Sequence, residues 1–121
     1  MDNPKIYESE YQFCLIIWEH EPITAVELAK LCLEQLGRKR TTTYTVIKRL
    51  CERGILKSTD GVITSIVSKE EAQACEIDEL VEKRFDGSLP AFITAFTKHQ
   101  NLTDAELEEI QRMIDRSRRR A

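Results

Sequence analysis

The hydrophobic pattern of this chain changes period at one glycine, and that change limits the folds open to it. Before Gly54, the segment TTTYTVIKRL spaces Val46, Ile47 and Leu50 along one face of a helix. After it, Ile55-Leu56 opens a β-type run, and Asp60-Gly61 separates two β-branched stretches in the manner of a hairpin. Gly54 itself follows Arg53 where a helix stops. The spacing therefore predicts a helix over roughly 41–53, then strands at 55–58 and 62–67 about a turn at 59–61.

Two more helices precede this unit. In SEYQFCLIIWEH, Tyr11, Cys14, Leu15, Ile17 and Trp18 follow a helical period, with Trp18 as a core anchor, and Pro22 ends the segment. Thr24 and Glu27 form a capping box for the next helix, and Ile23 can pack on Leu28 as a hydrophobic staple. Its apolar stripe is Val26, Leu28, Leu31, Cys32 and Leu36, closed by Gly37. Three short helices followed by a two-stranded wing is the order of a winged helix-turn-helix. Downstream, Ser68 with Glu71 opens a helix reaching Phe85, and Ser88 caps LPAFITAFTKH. Thr103 with Glu106 then opens the last helix, with Leu102 placed to staple Leu107. The fold class read from this pattern is mostly α with a small β wing. A winged helix-turn-helix occupies 1–68 and a helical region of three helices occupies 69–121.

Charge is segregated along the chain. Residues 38–57 hold seven Lys/Arg against one Glu, inside a chain of 121 residues whose formal net charge is -3. A basic face on an acidic body suits double-stranded DNA. Thr42, Tyr44 and Thr45 fall on the solvent side of the third helix, where hydroxyls and an aromatic ring can reach base edges, and Thr41 at its start belongs to the same DNA-contacting set. Lys39, Arg40, Lys48 and Arg53 are placed to hold phosphates. Arg49 has two readings, a DNA contact or an ion pair with a carboxylate of the first helix such as Glu10. The same spacing also describes a solvated basic helix, or one that binds an acidic protein partner.

Other function classes find little support. The sequence has no Gly-rich phosphate loop, no H-E-x-x-H and no motif that pairs a nucleophile with a His, so no catalytic residues are expected. Cys14, Cys32, Cys51 and Cys75 are far apart, and neither His20 nor His99 stands at ligand spacing from any of them. No metal and no cofactor are expected, and the cysteines read as reduced core or surface thiols. A thiol- or metal-responsive regulator remains an alternative, because distant cysteines can meet in space. No apolar run approaches the ~20 residues of a membrane span, and the N-terminus has no signal-peptide core. The expected location is the cytoplasm.

The C-terminal helices carry more apolar surface than they can bury alone. LPAFITAFTKH is apolar on most sides, and the helix before it and the helix after it each add a face. Leu80, Phe85, Leu89, Phe92, Ile93, Phe96, Leu107, Ile110 and Ile114 are the residues expected to meet a second copy of the chain.

The stretches SEYQFCLIIW, TTTYTVIKRLCERGIL and FDGSLPAFITAF with LTDAELEEI together resemble the BlaI/MecI/CopY family of bacterial repressors, from about Ile6 to Ile114. The most specific element is the run carried by Thr42, Thr45, Arg49, Leu50 and Gly54. The resemblance implies an N-terminal winged helix, a C-terminal dimerisation region, and a homodimer that represses transcription from a palindromic operator until an inducing signal removes it. An upstream sensor or protease would supply that signal. The sequence departs from the family's pattern in three places. The wing tip at Asp60-Gly61 has no basic residue, and Ala95-Phe96 stands where penicillinase repressors have a cleavable Asn-Phe bond. The last cysteine is Cys75, whereas copper-responsive members carry a C-terminal cysteine cluster.

Overall fold

A computed structural model describes residues 5–120. In chain order these form α1 (Glu8–His20), β1 (Ile23–Thr24), α2 (Ala25–Leu36), α3 (Arg40–Glu52), β2 (Leu56–Thr59), β3 (Val62–Ser65), α4 (Lys69–Arg84), α5 (Leu89–His99) and α6 (Asp104–Arg120). Two compact units divide between Glu79 and Leu80, inside α4, beyond the 68/69 boundary read from the sequence. The physical reason is that Ala72, on the first turn of α4, is buried in the N-terminal core cluster.

In the N-terminal unit, local chemistry sets the ends of the elements. Glu10 accepts the Tyr7 N–H at 3.0 Å and so holds the start of α1. The Thr24 hydroxyl accepts the Glu27 N–H at 3.1 Å and caps α2. Gly37 closes α2 in the left-handed region at φ 65°. At the wing, Asp60 and Gly61 both have positive φ, 51° and 78°, as a tight two-residue hairpin with the twist of its strands requires. The first strand of the hairpin keeps the expected length but starts one residue later, and the second is shorter than the sequence suggests because Ile66 and Val67 leave the ladder. Both of their N–H groups donate to the Ile55 carbonyl. The sheet also has a third strand that the sequence pattern does not announce. Ile23 pairs with Ile63 and Thr24 with Val62, giving the order β1-β3-β2.

The core gathers Ile17, Leu28, Leu50, Ile55, Leu56 and Ile63, with Cys14 and Cys32 fully buried among them. Two sequence stripes need correction. On α1 the buried apolar residues are Phe13, Cys14, Ile16 and Ile17, while Leu15 is exposed. On α2, Val26 is 68% exposed and Ala29 takes a buried place. In both cases several apolar residues adjoin one another, and only packing decides which of them turns inward. Trp18 is half-buried, and its indole N–H donates to the Val67 carbonyl at 3.0 Å, fixing the end of α1 against the start of α4.

One ion pair fixes the far end of α3. The Arg53 guanidinium, just past that helix, grips the nearly buried Glu10 carboxylate through both of its terminal nitrogens. It also donates to the Lys5 carbonyl at 2.8 Å and lies 5.2 Å from the centre of the Tyr7 ring. The Arg53 hydrogen bonds hold the Glu10 carboxyl below its usual value, outweighing the burial that raises it. Its contribution to stability is therefore complete above the ordinary value of 4.5 and is lost as pH falls through the lower, folded value. Arg53→Ala leaves this carboxylate buried and unpaired. Water reaches the arginine, so the expected loss at pH 7 is about 1–3 kcal/mol, shrinking in acid as Glu10 takes up a proton. Denaturant titrations at pH 7 and pH 3.5 measure that change, and an equal deficit at both would sink the account.

Burial also governs the thiols. It pushes Cys14 up to about 12 and raises Cys32 as well. A thiol reagent added to the native protein is expected to spare both and to reach them only on unfolding. Rapid labelling of either at pH 7.5 would contradict this core.

Candidate nucleic-acid interface

The interface is built from the face of α3 that the core leaves outward. Thr43, Val46, Ile47 and Leu50 are buried, so Thr41, Thr42, Tyr44, Thr45, Lys48 and Arg49 are exposed by the geometry of the helix. Lys39 and Arg40 are exposed at its start. Thr41, Thr42, Thr45, Val46 and Arg49 line a shallow open groove along this face. The Thr45 hydroxyl donates to the Thr41 carbonyl at 2.9 Å, which leaves its oxygen lone pairs and its methyl group for a partner.

The start of α3 is unlike that of the helices capped by a hydroxyl. Thr24, Ser68, Ser88 and Thr103 each accept an N–H from the first turn of α2, α4, α5 and α6 respectively. At the N-cap of α3 stands Lys39, whose side chain makes no capping bond. The free N–H groups of that turn, the positive end of the helix dipole and the cations Lys39 and Arg40 thus coincide. An anionic oxygen is the natural complement of this end.

The sequence places Arg53 on a phosphate and leaves Arg49 between DNA and a carboxylate of α1 such as Glu10, and the structure gives Glu10 to Arg53 instead. The carboxylate of α1 is taken by Arg53, so Arg53 is withdrawn from the free cations, and Arg49 stays in the open groove. Only the packing of α1 on α3 reveals this, because Arg49 and Arg53 are one helical turn apart and equally basic in sequence. Two further cations outside the expected contact set, Arg38 before α3 and Lys57 on β2, are also exposed. Their signal was the continuity of the basic run. The wing offers hydroxyls at Ser58 and Thr59 and a carboxylate at Asp60. Ser65 is engaged, donating its N–H and its hydroxyl to Glu21 at 2.8–2.9 Å.

Among the described residues no cluster of His, Cys, Asp and Glu could hold a metal ion, and no helix is long and apolar enough to cross a membrane. Comparison with known proteins agrees with the architecture. The solution structure of the DNA-binding domain of the repressor BlaI matches with a TM-score of 0.52 and 24% identity. The match covers 58% of this chain and 90% of that one. The penicillinase repressor of Bacillus licheniformis is 21% identical over 121 residues, covering 97% of this chain and 94% of that protein. The family model described as Penicillinase repressor matches residues 6–116, so the fold and nearly the whole length agree, and the chain belongs to the penicillinase repressor family, one of regulators and not of enzymes.

Proposed function

We propose that this chain is a sequence-specific DNA-binding transcriptional repressor, acting in the cytoplasm as a homodimer on a palindromic operator. The observation that carries the reading is the division of α3 into a fully packed inner face and an outer face of hydroxyls, one aromatic ring and cations. A helix so divided and held on a rigid core suits the major groove. Thr41, Thr42, Tyr44 and Thr45 are assigned to base edges. Lys39, Arg40, Lys48 and Arg49 are assigned to phosphates, with the N-terminus of α3 beside them. Arg53 has a different role from the one its charge suggests, since it positions α3 against Glu10. The acidic wing tip fits a wing that lies near the duplex without gripping its backbone.

The homodimer is supported by the C-terminal unit. Neither α5 nor α6 has a buried residue in the single chain. Leu80, Leu89, Ile93, Phe96, Leu107, Ile110 and Ile114 are all exposed, and only Phe85 and Phe92 are half-covered by their edge-to-face contact at 5.5 Å. At about 25 cal/mol per Å2, covering these side chains is worth several kcal/mol. A two-fold interface supplies the cover, because each patch then meets its own copy. It also joins two α3 helices so that they can read paired half-sites.

Gel-shift titrations against the operator and an unrelated duplex test the DNA face. Lys48→Ala is expected to weaken binding to both alike and to flatten the salt dependence by about one unit per protomer. Thr45→Ala is expected to cost about 1–3 kcal/mol on the operator and little on the unrelated duplex. Unchanged affinity and salt slope for Lys48→Ala would remove this docking of α3.

Sedimentation tests the interface. Phe96→Asp is expected to dissociate the full chain at micromolar concentration while the Trp18 fluorescence of the N-terminal unit stays native. A parent protein that sediments as a monomer there would end the homodimer reading.

A further inference from the structure

The last helix has a charge pattern that the apolar face alone does not explain. Leu107, Ile110 and Ile114 are exposed and recur at spacings of three and four, continuing at Ser117, so they mark a seam along α6. On one flank of that seam, at intervals of seven, stand Asp104, Gln111 and Arg118. On the other flank, at the same interval, stand Glu106, Met113 and Arg120. Each flank thus runs from acid through a neutral centre to arginine. Among the described residues, Asp104, Arg118 and Arg120 have no ion-pair partner within the chain.

We infer that α6 pairs antiparallel with α6 of a second copy about a two-fold axis near Gln111 and Met113, each acidic end meeting the arginine end of the other. The inference rests on the homodimer proposed above and specifies which helix faces which, and in what direction. A two-fold axis across an antiparallel pair brings each flank against the same flank of its partner, reversed. Asp104 then meets Arg118 of the partner subunit, and Glu106 meets Arg120 of the partner subunit. Only residues at the axis meet their own copies, where a charge would face a like charge, and there both flanks are uncharged. A parallel pair instead sets two acidic ends together and two arginine ends together. Helix dipole compensation explains acids at the start and arginines at the end. It does not explain the neutral centre on both flanks or the seam between them.

Charge exchange in the full chain, free of DNA, tests the pairing by sedimentation equilibrium. D104R and R118E are each expected to weaken the dimer about tenfold, since each turns two attractive contacts into repulsive ones. The double variant D104R/R118E is expected to return to within about threefold of the parent, because the exchanged charges again meet opposite signs. The dipole account predicts the reverse, since both changes oppose the dipole and their losses multiply. Q111R, an exposed change to a good helix former, is expected to weaken the dimer by placing like charges at the axis. Multiplied losses in the double variant, or single variants that weaken DNA binding while leaving the dimer intact, overturn the antiparallel pairing. A parent that is monomeric at micromolar concentration overturns the homodimer itself, a result distinct from a parent dimer indifferent to the exchange.

Discussion

Leu50 has no exposed surface, and it belongs to the cluster that α1, α2, α3, β2 and β3 build together. The inner face of α3 that it centres is the constraint on which the N-terminal unit depends. With Val46 and Ile47 beside it, Leu50 requires cover from α1 and α2. The chain reversal at Gly54 then returns Ile55 and Leu56 to the same cluster. A left-handed residue is needed there, and glycine takes that conformation without strain. Removing most of the Leu50 side chain would open a cavity costing about 2–5 kcal/mol, enough to loosen a small unit. Because the inner face is so fully determined, the outer face has no freedom to rotate. Thr42, Thr45 and Arg49 point where the packing of Leu50 sends them.

Electrostatics reinforce the same arrangement from both ends of α3. At its start, the absence of a capping side chain leaves N–H groups and cations together without an internal anion. At its far end, Glu10 neutralises Arg53 and draws it toward α1. Positive charge is therefore concentrated at the beginning and middle of the helix instead of being spread along it. An acidic protein overall can present such a surface because its acids lie largely on other segments, and screening limits their reach to about a Debye length of 8–10 Å.

Helix starts and stops were legible in the sequence because they are local events. Thr24, Ser88 and Thr103 each place a hydroxyl at a cap, and Gly37 and Gly54 mark ends, all within a few residues of the bonds they make. The outward face of α3 was legible for the same reason, since Val46, Ile47 and Leu50 leave one solution for the helix's rotation. What the sequence withheld is non-local. Two residues, Ile23 and Thr24, form β1 only because β3 offers an edge to them. Leu15 and Val26 are as apolar as the neighbours that displaced them from the core. The choice of Arg53 over Arg49 as partner of Glu10 depends on contacts 43 residues apart in sequence.

The two units solve the problem of burial in opposite ways. Among the described residues, the largest fully buried side chains all lie between Cys14 and Ile63, so the N-terminal unit closes its own core. The helices α5 and α6 close none. On the proposed homodimer, the stability of the C-terminal unit follows the concentration of the chain, whereas that of the N-terminal unit does not. Each α3 is complete within one chain, yet on the same proposal two of them would reinforce one another on DNA only while the C-terminal faces are paired. Operator occupancy would then be set through the weaker unit. On that proposal an inducing event would need only to uncover helices that are exposed in the single chain, and the packed core that aims α3 could remain intact throughout.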